Sequence, residues 1–357
     1  MPTKTVMIEV TQKCNLDCVY CYEKYKADSH ISFDTFFNII SYNLNLKDEY
    51  DNIEFVLHGG EPFYAFGVIR DVCELTWDLL WKKNYLFYTT TNGTLLTDEI
   101  KKWLIKNKER FSCSLSFDGT KEMQDTNRSC SSEKIDMDFF KQTWPGIPIK
   151  MTVSPKTLHT LSEGVIFLHE LGFNIEDSFA EMGDWNESRD LPVLEKELTK
   201  LINYYLKDPY RKTSNFVNYP IMKISDERVR KTCRAGTDFI AYDLYGELSF
   251  CHLFTQVAVG ETPVPSFSLE CPIDDREECL CCPVFNACPF CYGVNFLMTN
   301  DPLIKDMTLC KFTKMCANAT AVMYKMKIEL YGPEILNFDR YKYSHFVNVL
   351  EKMYGVD

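Results

Sequence analysis

Short runs rich in β-branched and aromatic residues alternate with longer stretches of helical period along the first half of the chain. The short runs predict buried strands, and the stretches between them, several opened by Ser, Thr or Asp, predict helices. The predicted strands are Thr5–Val10, Ile53–Leu57, Tyr85–Thr90, Ser112–Ser116, Ile149–Val153 and Ile175–Ala180. The predicted helices are Phe33–Leu46, Gly67–Trp81, Thr97–Lys106, Met137–Trp144 and Ser162–Leu171.

A strand followed by a helix, repeated about six times, is typical of an α/β fold with a parallel sheet and helices outside it. The sheet is expected to be either doubly wound or curled into a full or partial barrel. In both architectures the functional groups lie at the carboxyl ends of the strands.

The pattern changes after Ala180. An acidic helix is predicted at Leu191–Leu206, and beyond it ten of the 16 cysteines lie between Cys233 and Cys316. This later stretch has little periodicity, so we expect bound metal to supply much of its folding energy. The change in composition predicts a domain boundary near residues 215–230.

The net charge of −12 and the pI near 5.1 argue against nucleic-acid binding, which depends on Lys and Arg. The sequence contains neither an apolar run of about 18 residues nor a signal peptide, so we expect no membrane association and a cytoplasmic location. In that reducing compartment, clustered cysteines serve metal binding or catalysis more often than disulfide formation.

The first candidate metal site directly follows the first predicted strand, in the spacing Cys14-x3-Cys18-x2-Cys21. Three thiolates this close can hold three irons of a 4Fe–4S cluster and leave one iron open, whereas structural zinc takes four protein ligands. With Tyr20 before the third cysteine, the spacing resembles the signature of the radical S-adenosylmethionine (radical SAM) enzymes. The alternative is that the three cysteines are incidental buried residues.

A second motif, Gly59-Gly60-Glu61-Pro62, lies just past the second predicted strand. Its glycines let the backbone approach a ligand closely, and Glu61 can pair with an ammonium group. The motif resembles the one that holds the amino group of the SAM methionine in radical SAM enzymes, although alone it is an ordinary turn. By the same resemblance, three residues after later strands are candidate contacts to SAM or substrate: Ser116, Thr152 and Ser154.

The cysteine-rich stretch resembles the seven-cysteine SPASM extension of radical SAM enzymes, which carries two auxiliary 4Fe–4S clusters. The resemblance therefore implies three clusters in this chain. One auxiliary cluster would be closed by Cys279, Cys282, Cys288 and Cys310, and the other would use Cys233, Cys251 and Cys291. Only Pro289 and Phe290 separate Cys288 from Cys291, where the family usually has three residues, so the ligand roles of this pair stay open.

Several cysteines have competing interpretations. A fourth ligand of the second auxiliary cluster could be Cys271 or Cys316, or the site could be open to substrate, and Cys281 is a rival of Cys282. The pairs Cys279-x2-Cys282 and Cys288-x2-Cys291 also fit a zinc ribbon. That interpretation would leave Cys233, Cys251 and Cys310 unexplained. The cysteines expected to be silent are Cys73, Cys113 and Cys130.

The resemblance also implies an architecture and partners. We expect a partial (β/α)6 TIM-like barrel over residues 1–215, a small SPASM domain stabilised by iron–sulfur clusters over residues 216–330, and a C-terminal helix over residues 331–357. The implied cofactors are SAM and three 4Fe–4S clusters. The implied partners are a peptide or protein substrate and a reducing protein such as flavodoxin or ferredoxin.

One candidate catalytic residue is His252, which follows Cys251 where the anaerobic sulfatase maturases place an aspartate base. Histidine can act as a base near neutral pH, or it can support the cluster through a hydrogen bond. Further candidates are Asp118, Tyr242 and Asp243.

The function expected first is a maturase that cross-links, oxidises or epimerises residues of a ribosomally made peptide. A sulfatase maturase that forms formylglycine from Cys or Ser is the alternative. A non-catalytic electron-transfer protein would explain the clusters but not the Gly59-Gly60-Glu61 motif.

Overall fold

A computed structural model describes residues 2–225, 233–266, 277–305 and 307–354. Eight strands occur in these ranges: β1 (Thr3–Thr11), β2 (Asn52–Gly59), β3 (Asn84–Thr91), β4 (Phe111–Leu115), β5 (Ile149–Val153), β6 (Ile175–Phe179), β7 (Phe239–Tyr242) and β8 (Leu248–Ser249). The helices of the first half are α1 (Phe33–Asn45), α2 (Phe66–Asp78), α3 (Asp98–Asn107), α4 (Lys121–Asn127), α5 (Met137–Thr143) and α6 (Leu161–Glu170). Those of the second half are α7 (Glu187–Lys207), α8 (Gln256–Val259), α9 (Glu277–Leu280), α10 (Tyr292–Thr299), α11 (Cys310–Tyr331) and α12 (Arg340–Tyr354).

The described residues form two compact units. The first contains residues 1–117, 124–150 and 234–269 and is built on a sheet with the strand order β4-β3-β2-β1-β7-β8. Strands β1 to β4 pair in parallel, and β7 joins the free side of β1, also in parallel. β8 is antiparallel to β7. Parallel order brings the carboxyl ends of the first four strands to one edge of the sheet.

β7 comes from a stretch that the sequence assigns to the cysteine-rich domain. Its residues Phe239–Tyr242 pair with Thr5–Ile8, and this pairing groups residues 234–269 with the first strands. The compact units therefore divide the chain elsewhere than at residue 215. The predicted scheme of residues 1–215, 216–330 and 331–357 stays a prediction.

An aromatic core fixes the helices of the first unit against the sheet. Phe55 and Phe87 stack across β2 and β3 at 5.5 Å between ring centroids, and Trp103 of α3 meets Phe111 edge-on at 5.2 Å. α3 begins after Thr97, whose hydroxyl accepts a hydrogen bond from a backbone amide in the first turn, as a helix cap does. The rigid sheet therefore holds the loops at its carboxyl edge in fixed positions.

The second unit contains residues 118–123, 151–233 and 270–357. It includes the end of β5, which pairs with β6 in a separate two-stranded sheet, and the long helices α7 and α11. Its C-terminal helices α11 and α12 pack around buried apolar residues that include Ile221, Val284, Ala317 and Phe346.

The predicted α/β class with mostly parallel strands is confirmed. The six predicted strands and six predicted helices are present, with ends that differ by a few residues. The sequence analysis did not predict β7, β8, α4 or the short helices α8, α9 and α10. Closure of the strands into a partial barrel and the iron–sulfur-stabilised SPASM domain stay predictions. Among the described helices, none is both long and apolar enough to cross a membrane.

Candidate functional site

The cysteines of the first motif lie in the loop that leaves the end of β1. All three are half-buried and in no disulfide, and the Cys21 amide donates to the Cys18 carbonyl at 3.0 Å. Burial lowers the pKa of the neighbouring Lys26, but the Cys21 and Cys14 thiolates outweigh this effect and raise the pKa above its ordinary value. The positive charge of Lys26 therefore interacts with both Cys14 and Cys21.

The two glycines after β2 lie directly against this loop. The Gly60 amide donates to the Thr11 carbonyl at 3.0 Å. A Cβ atom on Gly60 would lie 2.4 Å from the Lys13 carbonyl oxygen and 2.9 Å from Cβ of Cys14, and one on Gly59 would lie 2.1 Å from the Thr11 carbonyl oxygen. Glycine is thus required at both positions. The absence of a side chain at Gly60 lets Cys14 pack directly against the backbone at the end of β2.

Glu61 is 1% exposed, and its carboxylate is held by donors of the protein itself. Thr91 Oγ1 and the Asn92 amide each donate to it at 2.7 Å, and the Phe63 amide donates at 3.3 Å. Burial raises the pKa of Glu61 to about 7, and these hydrogen bonds limit the rise. Glu61 therefore ties the end of β2 to the loop after β3. Its predicted pairing with the SAM ammonium group stays a prediction.

The cysteine loop has further anchors. Arg128 lies over the ring of Tyr20, 5.4 Å from its centroid, which fixes this aromatic residue by a cation–π contact. Asn92 Nδ2 donates to Asn15 Oδ1 at 3.0 Å, and Asn15 Nδ2 donates to Thr94 Oγ1 at 2.7 Å. The two asparagine hydrogen bonds join the loop after β3 to the cysteine loop. Tyr20, a predicted cofactor contact, is held in the same loop by Arg128.

The other predicted cofactor contacts lie at strand ends. Ser116 follows β4, is buried and forms a parallel bridge with Lys150. The fully buried Asp118 accepts a hydrogen bond on Oδ1 from the Thr152 amide at 2.9 Å. Ser154 is also buried, and its amide donates to Thr157 Oγ1 at 3.1 Å. The structure thus gives Asp118, a predicted catalytic residue, a structural contact to Thr152.

A group of polar residues that the sequence did not single out lies beside the cysteine loop. Glu9 of β1 is the register partner of His58 of β2. His58 Nε2 lies 2.7 Å from Tyr22 Oη and 3.1 Å from Glu23 Oε1. The only signals were a charged residue inside the apolar run of β1 and a histidine directly before Gly59.

Glu9 is the most unusual member of this group. It is 1% exposed, and neither of its oxygens makes a hydrogen bond of normal geometry within the part of the chain that the structure describes. Burial raises its pKa to about 7, with Gln12 and His58 limiting the rise. A buried carboxylate in this state is suited to accept a proton or a hydrogen bond from a ligand.

His252 joins the same group. Its ring centroid is 5.1 Å from that of His58 and 5.5 Å from that of Tyr22. Burial, with His58 nearby, lowers the pKa of His252 to about 3, so the ring is neutral near pH 7. Its Nδ1 is buried and has no hydrogen-bond partner among the described residues. The predicted role of His252 as a base stays a prediction.

Tyr242 lies on the other face of the sheet. It is the register partner of Ile8, whereas the adjacent Glu9 faces the opposite side, and its hydroxyl accepts a hydrogen bond from Asn43 of α1 at 3.4 Å. This position, among the helices, does not support a catalytic role for Tyr242. Asp243 accepts backbone hydrogen bonds within the turn between β7 and β8.

One predicted auxiliary-cluster set surrounds a single cavity of the second unit. The cavity is called here the four-cysteine cavity. Its lining contains Cys279, Cys282, Cys288 and Cys310 together with the polar Glu278, Lys305, Thr313 and Lys314 and the apolar Val284 and Phe285. Four thiols around one space are the donor set that a 4Fe–4S cluster takes, so these residues fit that group. Across the described ranges, no three His, Cys, Asp or Glu side chains are placed to hold a single metal ion.

The other auxiliary set is less fully assembled. Burial, together with the nearby Glu181 and Cys233, raises the pKa of Cys291 to about 12. Cys251 is buried in the first unit. The cluster predicted for Cys233, Cys251 and Cys291 stays a prediction.

The remaining cysteines differ in exposure. Cys73 and Cys113 are buried in the core, which is compatible with their expected silence, and Cys130 is exposed. Of the rival ligands, Cys316 is buried on α11 and Cys281 is exposed. Cys271 lies outside the described residues.

The sequence has known relatives. A family described as a 4Fe-4S single cluster domain matches residues 5–135. An uncharacterised protein of Methanocaldococcus jannaschii is 30% identical over 210 residues, which are 56% of this chain and 70% of that protein.

The fold is similar to that of two solved enzymes. The anaerobic sulfatase maturase anSMEcpe, solved with bound AdoMet, is 20% identical, and the match covers 94% of this chain and 99% of that chain with a TM-score of 0.65. Streptococcus suis SuiB, solved with the precursor peptide SuiA, is 16% identical, with 87% and 76% covered and a TM-score of 0.59. At these identities the likeness establishes a shared fold.

Proposed function

We propose that this chain is a radical SAM enzyme that modifies a peptide or protein by radical chemistry, because its Cys14-x3-Cys18-x2-Cys21 and Gly59-Gly60-Glu61-Pro62 motifs resemble those of that family. The observation that carries the proposal is the seating of Cys14 on Gly60, where a single Cβ atom would collide with the cysteine loop. This contact joins the cysteine motif to the glycine motif, which is the arrangement needed to present SAM to an open iron.

The cysteine motif and the glycine motif have separate proposed roles. Cys14, Cys18 and Cys21 would hold three irons, and the backbone at Gly59 and Gly60 would approach the methionine part of SAM. When bound, the reduced cluster and SAM supply a 5′-deoxyadenosyl radical that takes a hydrogen atom from an unactivated carbon. The protein contributes position, and the anchors of the cysteine loop support it.

A peptide is the substrate that we propose, because SuiB, with the same fold, was solved with a precursor peptide. Cross-linking, oxidation and epimerisation of peptide residues all begin with hydrogen abstraction, so the proposed activity covers these three outcomes. Formylglycine formation is the second candidate, supported by the fold shared with anSMEcpe. It is placed second because His252 stands where such enzymes are expected to have an aspartate. A flavodoxin or ferredoxin is the proposed reducing partner.

The two auxiliary clusters are part of the proposal. Of the two sets, the four-cysteine cavity supports its cluster more directly, because all four thiols line one space. Anaerobically reconstituted protein should then hold about 12 iron atoms, from three four-iron clusters.

The experiment measures iron and 5′-deoxyadenosine together. Reduced protein with SAM should release 5′-deoxyadenosine, and replacing Cys14, Cys18 and Cys21 together by Ala should abolish release and remove about a third of the iron. Iron uptake without any 5′-deoxyadenosine would support the electron-transfer protein instead. Iron near four atoms, with zinc present, would reject the auxiliary clusters.

A second assay separates the two substrate classes. Peptides containing Cys or Ser are incubated with the reduced enzyme and SAM, and the products are treated with a hydrazide probe that detects aldehydes. An aldehyde product supports formylglycine formation. A cross-linked or epimerised peptide, which gives no aldehyde, supports the peptide maturase.

A further inference from the structure

The four-cysteine cavity is lined by a buried cation as well as by thiols. Lys305 is 8% exposed, and its ammonium group donates to the Pro289 carbonyl at 3.0 Å. This hydrogen bond keeps the side chain inside the protein and beside the cavity. Two groups of opposite charge, Lys314 of α11 and Glu278, also line the cavity, both from exposed positions, so Lys305 is the buried charge beside it among the lining residues.

A buried hydroxyl lies close to the same thiols. Tyr219 Oη makes no hydrogen bond of normal geometry with the described residues, although the Thr313 hydroxyl is nearby. Tyr219 and Cys282 pack against the same group of buried apolar residues, which includes Val284. Cys282 and Val284 both line the cavity, so the phenol lies on the side of this packing group that borders the space a cluster would fill.

The position of Tyr219 is fixed from the backbone. Its amide donates to Thr320 Oγ1 of α11 at 2.9 Å. A buried donor without an acceptor is costly, and a cluster in the cavity would bring sulfur atoms that can accept its hydrogen bond. The phenol is therefore placed as a donor to a group that the cavity holds.

A nearby positive charge and a hydrogen bond to sulfur both stabilise the reduced state of a 4Fe–4S cluster. A 4Fe–4S cluster with four thiolate ligands is an anion, and reduction adds one more negative charge. A nearby ammonium group stabilises the more negative state, and a hydrogen bond to sulfur does the same, because both offset the added charge. Each contribution makes the cluster easier to reduce.

We propose that Lys305 and Tyr219 raise the reduction potential of the auxiliary cluster held by the four-cysteine cavity. The inference rests on the proposed function, since it requires a cluster at that place. Lys305 and Tyr219 tune the cluster without serving as its ligands.

The test is a redox titration of the full-length reconstituted protein. The titration is monitored by the electron paramagnetic resonance signal of the reduced clusters. The signal of this cluster is the one that disappears in Cys310→Ala. We expect Lys305→Met and Tyr219→Phe each to shift its midpoint to a more negative potential. Lys305→Arg keeps the positive charge and should retain a midpoint near that of the unmodified protein.

The second unit offers a matched control for each change. Lys327 is also buried, at 3% exposed, and its ammonium group donates to the Pro209 carbonyl at 3.1 Å, but it does not line the cavity. Tyr324 donates its hydroxyl hydrogen bond to Asn218 at 2.8 Å. Lys327→Met and Tyr324→Phe should therefore leave the midpoint unchanged.

The outcomes separate this inference from the proposed function. Full iron content and normal 5′-deoxyadenosine release, with no midpoint shift in Lys305→Met or Tyr219→Phe, would overturn the inference alone. An equal shift in the control variants would do the same, because it would reflect general packing. If Cys310→Ala loses neither iron nor a signal, the auxiliary cluster and the inference both fail. If either Lys305→Met or Tyr219→Phe takes up no iron, the midpoint of the other variant tests the inference.

Discussion

The carboxylate of Glu9 and the imidazole of His58 lie side by side on one face of the sheet, because these residues are register partners on β1 and β2. His58 also lies 3.1 Å from Glu23. Two acidic residues and a histidine thus meet next to the loop that carries Cys14, at the carboxyl edge where the fold class places function.

Glu9 should make stability depend on pH. Burial raises its pKa from 4.5 to about 7, so the folded protein binds this proton more tightly than the unfolded chain does. Stability from this group is present below pH 4.5 and is lost as the pH rises to about 7, by at most about 3 kcal/mol. Glu9→Gln should therefore raise the unfolding temperature more at about pH 8 than at about pH 5.

The control for this prediction is Glu49→Gln, which changes an exposed carboxylate. It should shift the unfolding temperature equally at both pH values. Parallel curves for Glu9→Gln and the unmodified protein would show that Glu9 is not the proton-binding group.

Gly60→Ala should displace the cysteine loop, because the new Cβ atom would lie 2.4 Å from the Lys13 carbonyl oxygen. We expect loss of about a third of the iron and of 5′-deoxyadenosine release, measured on reconstituted protein. Gly67→Ala is the matched control, since nothing lies within 4 Å of a Cβ atom there. Normal iron in Gly60→Ala would show that the loop tolerates displacement.

The sequence predicted the local features of this molecule well. The alternation of strand and helix patterns is set by residues close in the chain, and it led to β1 to β6 and to the motifs after β1 and β2. The spacing of Cys14, Cys18 and Cys21 is likewise a local property. Parallel strand order then implies that their loops meet, without any knowledge of the partner residues.

Long-range pairing was not predictable in the same way. β7 pairs with β1 across more than two hundred residues of chain, and its short apolar run gave no sign of its partner. The same pairing places Tyr242 on the helix side of the sheet, which its sequence position could not indicate. Two of the donors to Glu61, Thr91 and Asn92, come from the end of β3 and the loop after it, so a carboxylate expected to face a ligand already accepts hydrogen bonds from a distant part of the chain.

Asp118 is predicted to serve structure, because its buried carboxylate accepts the hydrogen bond of the Thr152 amide at 2.9 Å. Asp118→Asn keeps an acceptor oxygen and should retain iron content and 5′-deoxyadenosine release. Asp118→Ala leaves the amide unpaired and should lower the free energy of unfolding by about 1 to 3 kcal/mol. Loss of release in Asp118→Asn at full iron content would restore the catalytic interpretation.

Glu61→Gln places an amide nitrogen where the carboxylate now accepts hydrogen bonds from Thr91, Asn92 and Phe63. We expect the free energy of unfolding to fall by about 1 to 3 kcal/mol at unchanged iron content, measured by thermal denaturation and iron analysis. Thr91→Val removes only one of these donors and should cause a smaller loss. The SAM dissociation constant then decides the second role: a rise of about tenfold to a hundredfold in Glu61→Gln alone indicates contact with the ammonium group, whereas equal values confine Glu61 to joining the two loops.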